Sequence, residues 1–202
     1  MSPVTSKRLY ETFADTTKDH DAYDYVVTVW RTSSRVTEFF IENLPSDLWE
    51  QRIPGMPRKT VRMLAGHIHN ARCMWVKMIG RNYGIKPPGS VDRLHVTRRG
   101  VLAALRQSDR AIAALLAIGA RHRGNLKIIG PWMNVPSDAP HFMAYLVAHE
   151  AHHRGQIVLA ARQLGIPLRP DAISGLWQWK RIHRENKSRT LPRISLHQRT
   201  KR

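Results

Sequence analysis

The chain has 202 residues, with 33 Lys+Arg against 15 Asp+Glu, a formal charge of +18, 42% hydrophobic residues and one cysteine. At roughly 100–200 residues per domain this makes one domain with room for a real core, and the apolar content excludes a disordered chain. The lone Cys73 excludes an internal disulfide framework and a four-cysteine zinc site; it fits a reducing compartment, so the cytoplasm is the expected location.

No stretch approaches the roughly 18 apolar residues of a membrane span, and no apolar signal core follows Met1, so neither membrane insertion nor secretion is expected. The charge is segregated. Residues 1–50 hold five Lys/Arg and nine Asp/Glu, whereas residues 51–202 hold 28 and six. Such a balance points to phosphate, nucleic acid or acidic surfaces as partners, and informs about association rather than fold.

After an N-terminal segment, 1–23, helical periodicity appears four times, each run closed by proline or glycine. The first run, Asp24 to Asn43, aligns Val26, Trp30, Thr37, Phe40, Ile41 and Leu44 before Pro45. The second, Arg58 to Gly80, presents Val61, Leu64, Ile68, Ala71, Trp75 and Met78. The third, Arg98 to Ala120, keeps Val101, Leu105, Ser108, Ile112, Leu115 and Gly119 on one side and Arg98, Arg99, Arg106 and Arg110 on the other. The fourth, Ala139 to Leu164, starts at Ser137 or Asp138 as cap and stops at Gly165 and Pro167.

Only Leu126 to Ile129 carries a strand signal. The expected fold is therefore all-α, an up-down four-helix bundle over residues 24–185. The connections Arg81 to Thr97 and Arg121 to Ser137 exceed ordinary bundle turns, which predicts a long crossover or a loop over the site. Apolar periodicity fades after Lys180, and residues 186–202 read as a flexible basic tail.

Of eleven histidines, His20, His95, His122, His183 and His197 sit in polar or basic surroundings and read as surface residues. The informative run is His149-Glu150-Ala151-His152-His153-Arg154-Gly155-Gln156-Ile157. Residues four apart lie one helical turn apart, so His149 and His153 can offer ring nitrogens to one metal ion. His67, set among Leu64, Ile68, Ala71 and Trp75, is the best third ligand, because a histidine on an apolar face must be satisfied. His69 lies about 200° round the helix from His67 and cannot share its site. His152 reads as an outer hydrogen-bond donor, and Cys73, about 120° from His67, as core.

His149-Glu150-x-x-His153 also fits the zinc metalloprotease pattern. The extended pattern wants Gly and a third His where this chain has Gln156 and Leu159, and no edge strand is expected to hold a peptide. Trp30 and Trp75 read as bundle core; Trp132, Trp177 and Trp179 lie near loops, with core or interface packing expected.

Leu64-Ala65-Gly66-His67-Ile68 after Pro57, followed by the His149 to Ile157 run, resembles the DinB-like (DinB/YfiT) superfamily over residues 24–185. That resemblance implies a four-helix bundle, frequent homodimers and a three-histidine divalent-metal site, here His67, His149 and His153, holding zinc, nickel or iron. Relatives include enzymes that use low-molecular-weight thiols on small-molecule substrates, and the resemblance also implies that Arg154-Gly155-Gln156 helps helix 4 pack.

Three imidazoles leave open positions, so the expected function is a metal-dependent enzyme, with a metal-bound thiolate or hydroxide as nucleophile, similar to a thiol S-transferase. The alternative is a basic protein with a structural metal that binds nucleic acid or phosphate nonspecifically.

Overall fold

The computed structural model of the chain describes residues 16–127 and 137–190. Four long helices form the body: α1 (Thr16–Glu42), α2 (Val61–Gly80), α3 (Arg98–Arg121) and α4 (Ala139–Gln163). Two short helices follow, α5 (Pro170–Gly175) and α6 (Trp179–Thr190). The all-α architecture is the expected one. None of these helices is long and apolar enough to cross a membrane.

Helix α2 starts three residues later than the periodicity predicts. A two-stranded hairpin, β1 (Arg52–Ile53) and β2 (Met56–Thr60), occupies that stretch and turns at Gly55, whose φ of 76° suits glycine. Thr60 then caps α2, its side chain accepting from the Met63 amide at 3.2 Å. Asp138, rather than Ser137, caps α4 by accepting from the His141 amide at 2.9 Å. Of the expected strand Leu126 to Ile129, Leu126 is buried and Asn125 bridges to Asp138; Ile128, Ile129 and Trp132 lie outside the described residues.

Two apolar clusters fill the bundle. One joins Val26 and Trp30 of α1, Trp75 and Ile79 of α2, Ile112 and Leu116 of α3, and Phe142 and Leu146 of α4. The other joins Phe40 and Ile41, Leu64 and Ile68, Val101 and Leu105, and Ile157 and Ala161. The first cluster thus takes the C-terminal halves of α2 and α3 with the N-terminal halves of α1 and α4, and the second takes the reverse. It follows that α2 and α3 run parallel to each other and antiparallel to α1 and α4.

The long Arg81 to Thr97 connection makes this possible. It travels back along α2, where Asn70 holds Val91 by two hydrogen bonds, Nδ2 to the carbonyl at 3.0 Å and Oδ1 from the amide at 2.9 Å. The expected crossover is therefore present, and it breaks simple up-down alternation between the second and third helices. Helix α3 packs on α1 and α2, while α4 packs on α1 and α2, so the α1/α3 and α2/α4 seams lie on opposite edges.

Between the two clusters lies a buried polar layer to which every long helix contributes: Thr37, Arg72, Ser108, and Glu150 with Arg154. Arg72 forks onto Glu150, Nε to Oε1 at 2.6 Å and the second guanidinium nitrogen to Oε2 at 2.9 Å. Its remaining nitrogen donates to the Leu105 carbonyl at 3.2 Å. Thr37 donates to Glu150 at 2.7 Å and accepts from Arg154 at 2.5 Å.

Beyond α4 the chain departs from expectation. Residues 186–190, read as tail, continue α6, which lies against α1 although it offers a single buried apolar residue, Ile182. Polar contacts supply the rest: Asn186 donates to the Arg31 carbonyl at 3.1 Å, His183 Nδ1 lies 3.4 Å from the Thr32 hydroxyl, and Arg181 sits over Phe39. His183 is therefore half-buried rather than a free surface residue. The tail beyond Thr190 and residues 1–15 lie outside the described residues.

Candidate metal centre

Helices α2 and α4 meet along one seam, and there His67, His149 and His153 come together. One ligand atom from each lies within 4.8 Å of the other two. The ring centroids are 5.3 Å apart for His67 and His149, 4.7 Å for His67 and His153, and 4.5 Å for His149 and His153. All three rings are half-buried, so the cluster has one side toward solvent.

The donor set suits a divalent ion. The Nε2 atoms of His149 and His153 are 3.1 Å apart. Two nitrogens each about 2.0–2.1 Å from a shared ion must sit close to that separation. Gln156 fixes the second ring: its carbonyl oxygen lies 2.8 Å from His153 Nδ1 and accepts that proton, which leaves the lone pair on Nε2, facing His149. Two imidazole lone pairs so close repel unless a cation or a proton is shared between them.

Electrostatics keep the rings in the ligating form. Burial, then the His153 and His149 rings, then Arg93 and Lys59, hold the His67 pKa down at about 4. Burial lowers the pKa values of His149 and His153 as well. Arg93 stands beside His67 because Gly66 admits it: a Cβ at residue 66 would lie 3.1 Å from Arg93 Cγ.

A pH dependence follows for the metal-free protein. The unfolded chain takes up a proton at the ordinary histidine value of 6.5, the folded chain at His67 only near 4. Between these values the unfolded state binds more protons, so this contribution to stability is full above 6.5 and declines as the pH falls toward 4. Urea titrations from pH 7 to 4 in chelator check it: His67→Ala is expected to flatten the decline relative to the unaltered protein.

His69 faces away, buried, with Nε2 2.9 Å from the Gly89 carbonyl and Nδ1 3.1 Å from Ser108 Oγ. Cys73 is core, its Sγ 3.1 Å from His69 Nε2, and burial pushes its thiol up to about 11. His95 and His122 are exposed, whereas no side-chain position is described for His20 or His197. Trp30 and Trp75 are core as expected, but Trp177 is 80% exposed rather than packed.

His152 is exposed, its ring 5.1 Å from that of His153, and the supporting hydrogen bond expected of it comes from Gln156 instead. Position decides this: Gln156 lies at i+3 from His153 and lands on the same face. A Cβ at Gly155 would meet nothing within 4 Å, so no close approach of a neighbouring element requires glycine there. The Arg154-Gly155-Gln156 run thus acts through its polar members. Glu150, which would be the base of a metalloprotease, is 1% exposed and clamped by Arg72, so it faces the core and not the histidines.

The buried partners of Glu150 were not singled out from the sequence, although Arg72 on the apolar face of α2 was a visible signal. Comparison with curated proteins and with solved structures found no match. A family model described as DinB family matches residues 16–185, which takes in all four long helices and the three histidines. With its four-helix body and histidine cluster inside the matched span, the chain belongs to the DinB family.

Proposed function

We propose that this protein is a divalent-metal-dependent enzyme that delivers a low-molecular-weight thiol to a small electrophile, with hydrolysis as the nearest variant. The observation that carries the reading is the open three-histidine cluster. Structural zinc sites close four ligands around the ion, whereas three ligands and an open position mark a catalytic arrangement. A divalent ion there, zinc, nickel or iron, would lower the pKa of a thiol or a water toward neutrality.

The chain's own residues do the rest. His67, His149 and His153 would hold the ion, and Gln156, by accepting from His153 Nδ1, leaves that ring's Nε2 free to ligate. Arg93 and Lys59 add positive charge beside His67, which favours an anionic group on the incoming molecule. Tyr145, 39% exposed and stacked 6.2 Å from His149, walls the approach. A homodimer in the cytoplasm belongs to the same proposal, on the family resemblance and the lone reduced cysteine.

The test is a screen of metal-loaded protein with cysteine and glutathione against an aryl chloride, in which the carbon–sulfur bond forms as chloride leaves. Thiol consumption above the protein-free rate is expected, and its loss in His149→Ala. Absence of both thiol transfer and ester hydrolysis by protein shown to hold one equivalent of zinc, nickel or iron would overturn the reading.

A further inference from the structure

The arginines of α3 have no part in the histidine cluster. They line two adjoining concavities on the bundle edge opposite α2/α4, one between α3 and the Ser46 to Trp49 stretch that follows α1, the other along the α1/α3 seam. The larger, about 700 Å³, has Arg98, Arg99 and Arg106 around an apolar floor of Trp49, Leu102 and Ala103. The smaller, about 420 Å³, adds Arg31, Arg35 and Arg110, with Glu38 and Asp109 as its acidic members. Arg106 lines both and makes them one trough.

Part of this charge is internally anchored. Arg35 and Arg106 pair with Glu38 and Glu42, and Arg98 donates to the Pro45 carbonyl at 3.0 Å while lying over Trp49. Arg99 and Arg110 are exposed and hold no ion pair among the described residues. They stand at the two ends of a stretch of α3 about 16 Å long. The smaller concavity is also lined by Asn186 of α6, whose exposed Lys180, Arg181 and Arg184 extend the cationic surface past the trough.

We infer that this trough binds single-stranded nucleic acid through its phosphodiester backbone. Guanidinium forks match phosphate oxygens in pairs, and successive arginines along 16 Å meet successive phosphates. A single strand can lay its backbone along the arginines of α3 with its bases turned toward the apolar floor, whereas a duplex keeps its bases paired and stacked inside. Its apolar floor suits base faces beside a charged rim. The site is independent of the histidine cluster, so metal binding and strand binding are separable.

The experiment is fluorescence anisotropy of the full chain with a labelled 12-nucleotide oligothymidine between 50 and 200 mM salt. Beside it run a duplex of equal length and a polyglutamate peptide. Arg99→Gln/Arg110→Gln is expected to weaken strand binding roughly tenfold at 50 mM salt and to reduce the salt slope by about 1.4, the share of two phosphate contacts. The control Lys77→Gln/Arg81→Gln removes the same charge from exposed positions in the last turn of α2 and just beyond it, and is expected to stay within about twofold. Equal losses in both variants, unaltered binding in the first, or duplex or polyglutamate bound as tightly as the single strand would each overturn the inference. Unchanged melting and metal content in both variants would show that the fold and the histidine cluster are intact.

Discussion

Replacing His149 by alanine is expected to lower divalent-ion affinity by at least about a hundredfold, beyond the roughly 10–100-fold that follows loss of an outer partner. The separation of 3.1 Å between the His149 and His153 nitrogens is what allows one ion to be shared, and two remaining imidazoles hold an ion weakly. His67→Ala and His153→Ala belong to the same class, whereas His152→Ala is expected to retain one equivalent because its exposed ring lies outside the cluster. Elemental mass spectrometry of protein purified without added metal, followed by zinc titration, reads all four. Thermal melting gives a second readout: an ion at about 100 times its Kd adds roughly 2.7 kcal/mol, and the three ligand variants should lose that gain. A full equivalent in every variant would remove the site.

Arg72→Leu is expected to be the most destabilising single change in the core, at about 3–5 kcal/mol, because it takes from buried Glu150 the guanidinium that forks onto both its oxygens. Both side chains are 1% exposed, and the carboxylate then retains only Thr37 and the more distant Arg154 at 4.0 Å. The double variant Arg72→Leu/Glu150→Leu should recover much of the loss, since apolar groups of similar volume remove the charge along with its partner. Urea denaturation of the single and double variants checks this. A cost below about 1 kcal/mol for Arg72→Leu would mean that the fork contributes little. Glu150 adjoins His149, so the single variant is also expected to weaken ion binding, and the double variant to restore part of it.

The sequence made the bundle legible because its signal is periodic. Val26, Trp30, Phe40 and Ile41 on the first helix, and Val101, Leu105, Ile112 and Leu115 on the third, recur at helical steps and are all buried. The histidines were legible for a related reason: His149 and His153 lie one turn apart, and His67 interrupts an apolar face. Features fixed by tertiary contact were not. The β1/β2 hairpin is two and five residues of unremarkable composition, set by its turn at Gly55 and by pairing. Helix α6 lacks an apolar stripe and forms against α1 through Ile182 and polar contacts that only the folded partner supplies. Gln156 is one of many polar side chains until the geometry sets it against His153.

The crossover has a consequence for the order of assembly. Returning along α2 before α3 begins, it lets α1, α2 and α3 associate without the fourth helix. Two of the three histidines that would hold the ion, by contrast, wait on α4, the last of the four long helices in the chain. An ion held there would bind with full affinity only after that helix has docked, so it would selectively stabilise the final step and not the steps before it. Chelation should therefore loosen the α4 edge while the α1/α3 pair stays closed. Amide hydrogen exchange would show this as lost protection confined to α4 and the facing side of α2.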